Sequence, residues 1–160
     1  MAKDEIQTSE PVAASEPVTM HLPPPPTITT SQALLAIARA KLGALQVGDP
    51  VPFMIAEALK NAKGVILKTP PVDYAGFISE AATLNVLVDA TQPQPGDIVI
   101  LRYGFTDAYW SAIVAEVYER DITIIVAQSF HAEMETEVRE LRLGWPNYND
   151  TWHVAGVIRL

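Results

Sequence analysis

The chain has 160 residues, 49% of them hydrophobic and 19% charged, with a formal net charge of −8 and no cysteine. That length suits one core, and the acidic balance argues against nucleic acid as a partner, because phosphates call for a clustered basic surface. The missing cysteine removes a disulfide framework, a thiolate zinc site and a thiol nucleophile together. The polar start Met1–Gln7 has no apolar stretch behind it, and no run of about 18 apolar residues occurs, so neither a secretory leader nor a membrane span is expected. The expectation is a soluble chain made in the cytoplasm.

Residues 1–29 read differently from the rest. Pro11, Pro17 and the run Pro23, Pro24, Pro25 and Pro26 stand among Ser, Thr and Glu, and Ser9-Glu10-Pro11-Val12 is nearly repeated as Ser15-Glu16-Pro17-Val18. Proline fixes φ and removes donors, so this stretch is expected to be an extended arm without a core. It reads as a linker, or as a docking arm that orders on a protein partner or on another copy, with Pro23–Pro26 as the contact candidates.

From residue 30 the signals are helical. Thr30 or Ser31 can cap a helix carrying Leu34, Ile37, Ala38, Leu42 and Leu45 on one face, with Gly43 at its exit. Asp49 can cap a second helix with Pro50 leading it and Val51, Ile55, Ala58 and Leu59 buried. After Pro70-Pro71, Asp73 can cap a third through about Thr83. Strands follow Pro95-Gly96: Asp97–Tyr103, Ala108–Tyr118, Ile122–Gln128, Glu137–Leu143 and Trp152–Leu160. Helices first and a strand meander second give an α+β fold, with three helices on a five-stranded, mainly antiparallel sheet. The domain is therefore 30–160.

The order of these elements, and three segments within them, resemble the NlpC-type and CHAP cell-wall hydrolases, a papain-like superfamily. Asp73-Tyr74-Ala75-Gly76-Phe77-Ile78 is similar to the family's Asp-Cys-Ser-Gly-Phe-Val. Gln94-Pro95-Gly96-Asp97-Ile98-Val99 is similar to its Pro-Gly-Asp strand, and Trp110-Ser111-Ala112-Ile113-Val114 to its His-Val-Gly/Ala-Ile-Val strand. The likeness covers about 33–160 and implies that fold. It places Tyr74 where the family has its nucleophilic cysteine, Trp110 where it has its histidine, and Gln128 near the polar residue that orients the histidine. A phenol with an ordinary pKa near 10 does not replace a thiolate, and an indole cannot move a proton. The likeness thus implies the frame and argues against the activity. Tyr74 and Trp110 can equally be core or interface aromatics of an unrelated fold.

Other chemistry finds little support. His131-Ala132-Glu133 copies a zinc-deaminase fragment without the cysteines, and a metal on His131, Glu133 and Glu135 is not expected. Ser111 and Ser129 lack a Gly-x-Ser-x-Gly setting. No phosphate-binding glycine motif occurs, so no cofactor is expected. Trp145, Tyr148 and Trp152 lie in a stretch of Asn, Asp and Pro that can stack on sugars or a partner, or pack over a sheet edge. Tyr103, Phe105, Tyr109 and Trp110 form a second aromatic cluster, which marks an interface, with Tyr109 as a contact candidate, where it is exposed. The sequence therefore points to a catalytically dead relative acting as a structural or interaction protein, by analogy a bacteriophage virion component tethered by its arm. The alternatives are a module that holds peptidoglycan or another cell-wall glycopeptide without cutting it, and a hydrolase with an unusual serine.

Overall fold

The computed structural model of the protein describes residues 28–60, 67–69, 73–104, 106–129, 135–145 and 152–160. Pro23–Pro26 and Tyr148 lie outside them. The described chain runs α1 (Thr30–Ala40), β1 (Leu45–Val47), α2 (Val51–Lys60), α3 (Tyr74–Thr83), β2 (Leu87–Val88), β3 (Ile98–Tyr103), β4 (Tyr109–Val117), β5 (Asp121–Ser129), β6 (Glu135–Gly144) and β7 (Trp152–Ile158).

Each helix begins where a side chain can take an orphan N–H group. Thr29, one residue ahead of the expected Thr30, caps α1: its hydroxyl accepts from the Gln32 N–H while Gln32 Oε1 accepts from the Thr29 N–H. Asp49 accepts from the Val51 N–H at 2.9 Å, and Asp73 from the Gly76 N–H at 3.1 Å. Gly76 has no room for more, since a Cβ there would lie 2.5 Å from an Asp73 carboxylate oxygen. Helix α1 ends at Ala40, and Gly43 turns the chain at φ +78°. Leu45, which helical spacing puts on the face of α1, opens β1 instead.

The described strands form one sheet in the order β1-β6-β5-β4-β3-β7-β2, every neighbouring pair antiparallel. The α+β class with a mainly antiparallel sheet holds. The number of strands does not: there are seven rather than five, because β1 and β2, of three and two residues, were not expected. Both lie on the sheet's edges, and neither is long enough to show a period of two.

The sheet buries both faces. On one, Leu34, Met54, Ile55, Phe77 and Ala81 of the helices pack against Ile98, Ile100, Ile113, Ile125 and Ile158. On the other, Val99, Leu101, Ala112, Val114, Ile122, Ile124, Val126 and Val157 pack on one another with Trp110, Trp145 and Trp152, and no residue of the three helices takes part. Each such Leu, Ile, Val, Met or Phe side chain contributes about 1.5–3 kcal/mol by leaving water. A flat sheet would leave this second face wet. Here the sheet rolls: Trp145, just after β6, donates its indole N–H to the Ala90 carbonyl, just after β2, at 2.6 Å. Bulges between Val114 and Glu116 and beside Ile100/Leu101 supply the bend.

Two ties fix the lead into β3. Gly96, at φ +91°, donates to the Val114 carbonyl at 2.8 Å and lies so close to α1 that a Cβ would sit 2.3 Å from the Ser31 carbonyl oxygen. Asp97 is buried, accepts from the Gln94 N–H at 2.7 Å and takes Arg159 Nε and Nη2 at 2.9 and 2.8 Å. The Asp97 carboxylate holds the Arg159 guanidinium even more firmly protonated than usual.

Candidate functional site

Tyr74 is the first residue of α3, and the Asp73 cap aims it at β4. Along β4, Tyr109, Ile113 and Ala115 join the helix-side core while Trp110, Ala112 and Val114 join the other. Ser111 shares the parity of the first set. Its Oγ lies 3.0 Å from the Tyr74 phenol oxygen, and the Tyr74 and Tyr109 ring centroids are 5.9 Å apart at 37°. Ser111 is fully buried and Tyr74 half-buried.

The structure thus joins Tyr74 to Tyr109 and Ser111, and does not join it to Trp110. Trp110 lies on the opposite face of the sheet, 5.6 Å from the Trp152 ring. Trp152 also meets Tyr103 at 5.1 Å. Trp145 and Trp152 pack in the second core. Gln128 pairs with Glu137 through the β5–β6 ladder, and its side chain lies outside the described ones. His131 and Glu133 are outside too, as is the side chain of Glu135. Among the described residues no group of three His, Asp or Glu side chains could hold a metal ion, and no helix is long and apolar enough to cross a membrane.

Burial pushes the Tyr74 phenol above its ordinary value; the Ser111 hydrogen bond pulls it down and the negative Asp49 pushes it up. Burial also raises the Asp49 carboxyl, against the pull of the Val51 N–H. Tyr74 is therefore a neutral phenol at neutral pH. Facing it is a neutral hydroxyl. Two hydroxyls in mutual contact supply neither a general base nor an activated nucleophile.

Between the start of α3 and the β3–β4 turn the surface opens in two adjoining depressions that share Ala75 and Tyr109. One, of about 500 Å³, adds Asp73, Tyr74, Asp107 and Ala108; the other, of about 420 Å³, adds Ile78, Arg102, His153 and Val154. The Arg102 guanidinium sits 5.8 Å over the Tyr109 ring, donates from Nε to the Thr106 carbonyl at 2.7 Å, and lies 3.8 Å from Asp107. In register, His153 stands opposite Arg102. The arrangement can grip a ligand by stacking and charge.

Sequence reasoning set Tyr109 in an aromatic cluster but missed the Tyr74–Tyr109–Ser111 group and the acids Asp73 and Asp107 that line the same depression. One signal was present: in a strand where Ile113 and Ala115 face the helices, strict alternation puts Ser111 and Tyr109 there too, and Trp110 away. No protein-family model, curated protein or solved structure matches the chain.

Proposed function

We propose that the protein is a non-catalytic interaction protein, built on a frame like that of the NlpC and CHAP hydrolases, whose cleft holds a ligand and does not cut it. The observation that carries this reading is the Tyr74–Ser111 contact at 3.0 Å: where a hydrolase of that kind needs a thiolate and an imidazole, two neutral hydroxyls satisfy each other. The likeness draws support from the placement of two of its motifs, Asp73–Ile78 opening α3 and Pro95-Gly96-Asp97 leading into β3, and none from the third, since Trp110 in β4 faces away from Tyr74. A role as a virion part tethered through residues 1–29 belongs to the same proposal. A second reading, retention of a cell-wall glycopeptide, is favoured by the open cleft around Tyr109.

Incubation of the full-length protein with purified cell wall tests the proposal. No free amines or reducing ends should appear above buffer, while pelleting with the wall would favour the glycopeptide reading. Turnover by the wild-type chain would defeat the non-catalytic one.

A further inference from the structure

The depression of about 500 Å³ has a defined chemistry. Its lining includes the Tyr74 and Tyr109 rings, packed on each other with centroids 5.9 Å apart, and its rim carries the Asp73 and Asp107 carboxylates. One Asp73 oxygen caps α3, and the Asp107 side chain is 100% exposed. Aromatic faces are negative and attract cations, and carboxylates share that preference. Asp49 adds a third negative charge felt at the Tyr74 hydroxyl. The molecule already makes the contact with a cation of its own: the Arg102 guanidinium lies over the Tyr109 ring and beside Asp107. The two rim carboxylates would repel an anion. A neutral sugar would stack on the rings and leave the charge unused. The net charge of −8 draws cations toward the surface from a distance.

We propose that this depression binds an alkylammonium group, as carried by a lysine side chain of a partner protein or by a free organic amine. The proposal rests on reading the cleft as a holding site, and it narrows the ligand to a cation.

The test is an NMR titration of the full-length protein, following the tyrosine rings, with methylammonium chloride and with an end-blocked Gly-Lys-Gly peptide. Sodium acetate at equal ionic strength is the control. Saturable shifts at Tyr74 and Tyr109 are expected for both cations and not for acetate. Tyr109→Ala should weaken binding about 3- to 10-fold by removing a ring face. Asp73→Asn with Asp107→Asn should weaken it several-fold and flatten its dependence on salt, while Asn at position 73 keeps the cap oxygen. Tighter binding of the peptide than of methylammonium would identify a partner's lysine as the source, and equal binding a small amine. Shifts that do not saturate, that acetate reproduces, or that survive all three substitutions unchanged overturn the proposal. Cell-wall turnover by the same preparation would defeat the non-catalytic reading and leave the cation result standing.

Discussion

Asp49 and Tyr74 lie near enough for the carboxylate to oppose ionisation of the phenol, and burial opposes the charge of each. For Asp49 the linkage has a definite sign. A carboxyl whose folded pKa is raised binds its proton more tightly in the folded state, so stability falls as pH rises from the ordinary carboxylate range, about 4, through the raised value. Asp49→Asn keeps an oxygen for the Val51 N–H and removes the desolvated charge. The variant should melt above wild type at pH 7 and lose that advantage below about pH 4. The same increment at both pH values would clear the Asp49 charge of any part in stability. Tyr74→Cys with Trp110→His tests a different point about single residues. The new thiol would face the helix-side core and the new imidazole the far side of the sheet, so cell-wall turnover should stay at the buffer rate. Turnover above buffer would mean that the two positions meet across the sheet edge. The place of Tyr74 at a helix start was legible because Asp73 can cap the helix. The facing of residue 110 was misjudged because a motif was matched by type, and a one-residue slip in a strand turns every side chain over. The Asp97–Arg159 pair went unseen because its partners, 62 residues apart, leave no local trace.

At the scale of elements, the long ones were readable. Helices α2 and α3 start at the acids that cap them, and β3 to β7 lie where β-branched runs and turns placed them, their limits shifted by a residue or two at most ends. The two edge strands were not. Leu45 sits at helical spacing from Leu34, Ile37 and Leu42, and only the tertiary pairing of Gln46 with Thr136 makes it a strand. How the elements dock depends on positions without side chains. Gly96 combines a left-handed φ with contact against the α1 backbone. Gly96→Ala should therefore cost about 3 kcal/mol and lower Tm on the order of 10 °C, read by calorimetry. A change within about a degree would mean that α1 can draw back from the β3 lead at no cost.

The whole molecule is shaped by the rolling of its sheet. Sequence pattern showed that Ile98–Leu101 is apolar throughout and Ile122–Val126 nearly so, hence buried on both sides. It could not show that one side is covered by helices and the other by the sheet itself. Trp145 ties the roll. Trp145→Phe keeps an aromatic ring and leaves the Ala90 carbonyl without the indole donor, for an expected loss of about 1–2 kcal/mol in denaturant unfolding. An unchanged midpoint would show that ring packing alone holds the two edges. A second closure ties the first turn of α1 to Leu160. The Ser31 N–H and hydroxyl both donate to the Leu160 carbonyl, at 3.2 and 2.9 Å, and the Leu160 N–H returns a bond to the same hydroxyl at 3.1 Å. The path from α1 to Leu160 thus returns to where it started. A circular permutant with Leu160 linked to Ile28 by a short Gly-Ser bridge, and opened at the exposed Glu119-Arg120 turn, should fold with the same core. Segments fused ahead of Ile28 and after Leu160 in the unpermuted domain would leave it side by side.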